Sequence, residues 1–143
     1  MESLLTRLRD SSVWRDWLAP ILMACIAVLS LTPGVPDAGH SPFVWLVQLT
    51  PKSAQKLLHV CLYAFLTFAL SLNFRRVNSM PARFLLPVAV ALGFGVLMEF
   101  LQTFVPGRFG SLTDVLLDGV GCLLGYGFMR RWTHKLNVDS LLR

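Results

Sequence analysis

The chain has 143 residues, of which 55% are apolar and 15% charged. That size allows one domain at most, and the charge content falls well short of the roughly one quarter found in soluble domains. The formal charge of +5 would suit a nucleic-acid partner, but the basic residues gather at the ends of apolar segments rather than along a stripe, which argues against nucleic acid.

A mean hydropathy of +0.60 points to a bilayer instead. Residues 1–16 are polar and mixed in charge, with Arg7, Arg9 and Arg15 set against Glu2, Asp10 and Asp16. Residues 17–32 then run without a charge. As a helix they reach about 24 Å, slightly less than a hydrocarbon core of about 30 Å. A first membrane span and a signal-peptide core both fit that length. The span is preferred, because no small-x-small cleavage site follows and Trp14 and Trp17 are placed like an interfacial belt.

Residues 33–55 carry Pro33, Pro36, Pro42 and Pro51 with Gly34 and Gly39, so no continuous helix runs through them. A short apolar piece at 43–49, with Trp45, is expected to lie in the membrane interface. Residues 57–74 form the second span, entered through Lys56, with His59 and Tyr63 below it on one helical face. Arg75, Arg76 and Arg83 make a basic loop. Residues 84–105 form the third span, bearing Glu99 and Gln102 late, and Pro106-Gly107-Arg108 makes a turn. Residues 112–129 form the fourth, with Asp114 and Asp118 one turn apart and Gly121-x-x-x-Gly125 suited to close helix approach. Cys25, Cys61 and Cys122 lie within apolar segments without metal-ligand spacing, and are expected to pack as small buried hydrophobes.

The expected fold is therefore all-α, a single membrane domain of four transmembrane helices. The tails and the 75–83 loop hold ten Lys and Arg, while the 33–56 and 106–111 loops hold three. The positive-inside rule then places both termini in the cytoplasm. In that topology the start of the second span, the end of the third and the start of the fourth all lie on the outer side. Glu99 and Asp118 each sit roughly 10 Å below the outer turn. Polar residues from three helices thus share one depth, and short connections favour their convergence.

Energetics sharpens this expectation. A charged residue at mid-helix costs about 2.5–3.5 kcal/mol to insert, so three isolated carboxylates would cost roughly 8–10 kcal/mol, comparable to a whole domain's stability. They must pair with Lys56, Arg108 or His59, take up a proton, bind a cation, or face water. Glu99 lies near the carboxy-terminal end of its helix, where the backbone dipole disfavours an anion. It is a candidate for acid/base work and, equally, for a structural ion pair with Lys56 or Arg108. Asp114 reads first as a helix cap, because Ser111-x-x-Asp114 before an apolar run is a capping-box pattern. Asp118 lies one turn deeper and lacks that explanation. His59 shares the depth of these acids and is a candidate base or ligand as much as a satisfied helix histidine. Tyr63 and Gln102 are residue types that more often join helices by hydrogen bonds. Arg108 suits either an anionic head group or a solvated turn.

These residues resemble the VanZ family of small integral membrane proteins. The resemblance rests on Lys56-x-x-His59-x-x-x-Tyr63 and on Glu99-x-x-Gln102-x-x-x-Pro106-Gly107-Arg108-x-x-Ser111-x-x-Asp114, continuing through Asp118-x-x-Gly121-x-x-x-Gly125, and covers about residues 52–128. Two departures stand out. Family members commonly have an acidic residue where this chain has Gln55, and Asn where it has Asp118, so the role of an amide there does not transfer. The family is named after an accessory determinant of glycopeptide antibiotic resistance. The resemblance thus implies cell-envelope business in a bacterial inner membrane rather than a particular reaction.

The leading expectation is an outer-leaflet polar pocket that engages an envelope lipid or glycan, such as a lipid-linked or anionic head group. Glu99, His59 and Asp118 are the candidates for chemistry, and Lys56, Tyr63, Gln102, Arg108 and Asp114 for substrate binding. A divalent cation is a candidate cofactor. The competing expectation is a non-catalytic binding or assembly protein in which the same residues form a structural network. Ion-coupled transport ranks last, because the inner half of the chain offers almost no intramembrane polar residues.

Overall fold

The computed structural model describes residues 11–34, 49–74, 77 and 79–141. Among them the regular structure is four helices, with no strand: α1 (Ser11–Ser30), α2 (Lys52–Asn73), α3 (Met80–Gln102) and α4 (Leu112–Leu141). Three of them contain stretches long and apolar enough to cross a membrane: Lys52–Asn73, Pro81–Gln102 and Leu112–Thr133. Each stretch has 22 residues and so reaches about 33 Å, against a hydrocarbon core of about 30 Å. The interfacial piece expected at 43–49 lies outside the described residues except for Leu49.

The helix boundaries differ from the apolar runs in instructive ways. Pro51 occupies the N-cap of α2 and Pro81 lies in the first turn of α3, positions where a missing N–H removes no helical hydrogen bond. Each helix therefore starts several residues before its apolar run. α3 stops at Gln102, and residues 103–105 belong to the turn. Gly107 within that turn has φ of 73°, a left-handed backbone that glycine adopts without strain. α4 continues through Arg130 and Arg131 to Leu141. Loss of hydropathy does not end a helix whose long basic side chains reach toward water.

α2 lies at the centre, with Tyr63, Leu66, Thr67, Ala69 and Leu70 all buried. Its main partner is α4, although the two are not consecutive. The contacts 59–118, 60–121, 64–125 and 68–128 advance together along both helices, so α2 and α4 run parallel. α3 runs antiparallel to α4, as the Phe84–Tyr126 ring contact near one end and the Glu99–Ser111 bond at the other require. Ala19 and Ile26 of α1 join the core. Of the cysteines, Cys122 is buried as expected, but Cys25 and Cys61 are exposed. Their helical faces point outward, which in a membrane bundle means toward lipid.

Close approach of α2 and α4 depends on Gly121 and Gly125. A Cβ on Gly121 would run into the Val60 carbonyl oxygen, and one on Gly125 into the Ala64 carbonyl. These contacts are with backbone, which cannot rotate away, so any larger residue must separate the helices. Gly125→Leu should destabilise the bundle by about 1–3 kcal/mol or more. Gly127→Leu should be nearly neutral, because a Cβ there meets nothing within 4 Å. Reversible unfolding of both variants in mixed micelles, followed by tryptophan fluorescence, checks the contrast.

Candidate functional site

Three helices bring polar side chains together at one end of the bundle. His59, about two turns into α2, lies beside Asp118 of α4, and its Nδ1 is 2.9 Å from Asp118 Oδ1. Asp118 is only 1% exposed. Tyr63, one turn along α2 from His59, has its ring nearly parallel to the imidazole, with centroids 6.4 Å apart. Glu99 arrives from α3. One ligand atom each from His59, Glu99 and Asp118 lies within 4.8 Å of the others. The level shared by these residues in the sequence corresponds to proximity in space, with direct contact between His59 and Asp118.

Gly95, a residue that sequence reasoning passed over, makes room for the cluster. A Cβ on it would stand 2.8 Å from Asp118 Oδ2 and 3.1 Å from Tyr63 Cε1. The available signal was a glycine in mid-span one turn before Glu99, since a helical glycine with no turn to make marks a close approach.

Glu99 has an unexpected partner. Its Oε2 accepts the backbone N–H of Ser111 at 2.8 Å, immediately before the first residue of α4. In a capping box that N–H is bonded by the third residue of its own helix. Here a carboxylate from the preceding helix takes the place expected of Asp114. The capping reading of Asp114 is thus corrected: its N–H bonds the Ser111 carbonyl at 3.0 Å, while its own Oδ1 is buried without a hydrogen-bond partner. The arrangement also resolves the dipole conflict at Glu99. The side chain leaves the unfavourable end of α3 and sits at the amino-terminal end of α4, where an anion is stabilised. Gln102 Nε2 lies 3.5 Å from Glu99 Oε1, at the outer limit of a hydrogen bond.

The two basic residues expected to neutralise Glu99 do not pair with it. Lys56 is exposed, and among the described residues the ion pair is His59–Asp118. Arg108 donates from Nε to the Thr32 carbonyl at 3.0 Å and from Nη2 to the Leu29 carbonyl at 3.2 Å. It thereby caps the carboxy-terminal end of α1, where carbonyls lack partners and a cation is favoured. The 103–111 turn is tied there a second time by Gly34 N–H to the Pro106 carbonyl at 3.1 Å. Burial lowers the Arg108 pKa from its ordinary value and the nearby Glu99 charge opposes that effect, so the guanidinium stays charged.

A cavity of about 160 Å³ opens beside the cluster, with His59, Tyr63, Gln102 and Arg108 in its wall, together with Gln55 and Thr50. Lys56, Asp114, Glu99 and Asp118 do not line it. His59, at Asp118, and Gln102, at Glu99, therefore face both the cavity and the buried acids. A larger groove of about 940 Å³ runs between α1, α2 and α4, but its wall is apolar apart from Arg131 and it lies away from the cluster. Polar side chains of the cluster, His59 and Tyr63 among them, border the smaller cavity.

The sequence model of the VanZ/LLP1 family matches residues 9–133. No curated protein and no solved structure matches the chain.

The Glu99–Ser111 bond separates two roles of one side chain. Glu99→Ala removes the acceptor and should lower stability by about 1 kcal/mol, as loss of an N-cap does. Glu99→Gln keeps an amide oxygen for the Ser111 N–H and should recover most of that loss. Unfolding midpoints of the two variants in detergent check the ordering.

Proposed function

The chain belongs to the VanZ/LLP1 family, and from that premise we propose a bacterial inner-membrane protein of four passes whose outer-leaflet cavity engages the polar head of an envelope component. In this topology α1 provides the first crossing, both termini are cytoplasmic, and the cavity opens to the outer side. The ten-to-three distribution of Lys and Arg supports that orientation. The observation that carries the reading is His59, held by buried Asp118 on one side and lining, on the other, a largely apolar cavity in whose wall Gln55, Tyr63, Gln102 and Arg108 also stand.

Size and lining indicate the ligand class. A cavity of about 160 Å³ is smaller than the roughly 300–1,000 Å³ of sites that enclose whole small molecules. It admits a compact head group whose lipid tail remains in the bilayer. Gln55, Tyr63 and Gln102 offer hydrogen bonds, and Arg108 brings positive charge, which together suit a phosphate-bearing lipid or lipid-linked glycan. Asp118 orients His59 by accepting from Nδ1–H, which leaves Nε2 with a lone pair for a proton of the bound head group. Glu99 adds a second acidic group behind the pair. In this reading Asp118 acts through His59 and is a positioning residue.

A second reading is supported by two specific bonds. Arg108 and Glu99 both hold backbone at the outer end of the bundle, as they would in a non-catalytic assembly protein whose polar residues form a structural network.

Native mass spectrometry of the chain released from nanodiscs of bacterial envelope lipid tests the pocket. The wild type should carry an anionic or lipid-linked species, and Gln102→Leu and Tyr63→Phe should each reduce its occupancy by about three- to tenfold, the range of one lost hydrogen bond. Equal occupancy in all three would sink the pocket. Acid/base chemistry is tested separately: His59→Ala and Glu99→Gln should fail to complement a deletion strain while inserting normally, and full complementation by both would leave only the assembly reading.

A further inference from the structure

We propose that His59, Glu99 and Asp118 bind one divalent transition-metal ion of the kind that accepts an imidazole nitrogen beside carboxylate oxygens, such as Mn²⁺ or Zn²⁺. This deepens the pocket reading, since His59 belongs to both, and rests on it for what the metal does, though not for its being bound.

Geometry comes first. His59 Nδ1 and Asp118 Oδ1 are 2.9 Å apart, close to the roughly 3 Å between ligands at right angles around a cation with bonds of about 2.1 Å. Opposite ligands on such a cation lie about 4.2 Å apart. The three ligand atoms, all within 4.8 Å of one another, close on an ion by small side-chain movements.

Independent support comes from the buried oxygens. Asp118 Oδ2 is buried and has no hydrogen-bond partner, on a residue 1% exposed. It points into the space that Gly95 leaves between α3 and α4. One turn toward the outer end, Asp114 Oδ1 is in the same condition. Buried carboxylate oxygens nearly always have a partner, and these call for positive charge. The outer-end cations do not provide it directly: Arg108 is committed to the α1 carbonyls, and Lys56 is exposed without an ion pair among the described residues. A proton on His59 supplies one positive charge against two buried carboxylates. A divalent ion in the place of the Nδ1 proton supplies two, and the imidazole then carries its proton on Nε2, so that with the ion bound His59 donates to a head group instead of accepting from it.

The surroundings fix the ligands as metal sites require. Ser111 N–H engages Glu99 Oε2, orienting the carboxylate and leaving Oε1, which Gln102 approaches only at 3.5 Å. Such neighbours set the direction of a ligating oxygen. One imidazole with two carboxylates disfavours Mg²⁺ and Ca²⁺, which take oxygen ligands, and suits Mn²⁺ or Zn²⁺.

The test uses the full chain in nanodiscs, treated with chelator and titrated with Mn²⁺ while electron paramagnetic resonance reads the free ion. One Mn²⁺ should bind per chain and be displaced by Zn²⁺, with affinity lowered at least about tenfold in Asp118→Asn and in Glu99→Gln. Glu99→Gln keeps the acceptor for Ser111 N–H, so it reports ligand loss even where Asp118→Asn fails to fold. Spin-echo modulation from an imidazole nitrogen should accompany bound Mn²⁺ and vanish in His59→Gln. Binding equal to that of Glu99→Gln, or bound Mn²⁺ without nitrogen coupling, overturns the proposal. Lipid occupancy measured on the same samples separates the two readings: lipid retained without metal binding refutes the metal alone, and metal binding without lipid refutes the pocket alone.

Discussion

A carboxylate inside a membrane bundle must find compensation, and the Asp118–His59 pair is where this chain provides it most directly. Asp118 projects from the second turn of α4 and is buried in the bundle, where an isolated charge is costly. Its bond to His59 requires α2 and α4 to lie side by side, in parallel, with their backbones close. The glycines at 121 and 125 make that approach sterically feasible, and Gly95 clears the space on the α3 side. One polar contact and three missing side chains therefore specify the same arrangement. Desolvation works against the pair, which makes it a weak source of stability and a strong determinant of register.

The two ends of the bundle are held differently. At the end near the cluster, the ties are hydrogen bonds between elements: Arg108 to the α1 carbonyls, Gly34 to Pro106, and Glu99 to Ser111. Farther along, they are aromatic contacts, Phe68 with Phe128 and Phe84 with Tyr126. Directional bonds fix atoms more narrowly than apolar packing does, so the polar end is the one suited to hold a ligand in a set geometry. Arg108 links these levels. It secures the end of α1 and also forms part of the cavity wall, so its substitution should disturb the fold and the cavity together.

Much of this was legible in the residues. Hydropathy and charge identified helical spans, and the rise per residue placed His59, Glu99 and Asp118 at a common depth, because depth along a helix is linear in sequence. Gly121-x-x-x-Gly125 marked a close helix pair, since small residues serve that purpose between membrane helices. Partner choice was not legible. Ser111-x-x-Asp114 satisfies the local pattern of a capping box, but a longer side chain from α3 reaches the same N–H, and local pattern carries no information about a neighbouring helix. Arg108 and Lys56 were natural partners for Glu99 by charge alone. The orphaned carbonyls at the end of α1 attract Arg108 instead, and their position depended on a connection whose path the sequence does not reveal. Cys25 and Cys61 faced outward for a related reason: composition places a residue in a span, whereas its face depends on which helices pack.

The central claim, that Asp118 and His59 join α2 to α4 within the bundle, is tested most directly by a double-mutant cycle. Unfolding free energies of His59→Ala, Asp118→Ala and the double variant, measured in bicelles, should reveal a coupling of at least about 1 kcal/mol, as expected for a buried pair in contact. Strict additivity of the two single substitutions would show that the side chains do not interact, and the account built on their pairing would be wrong.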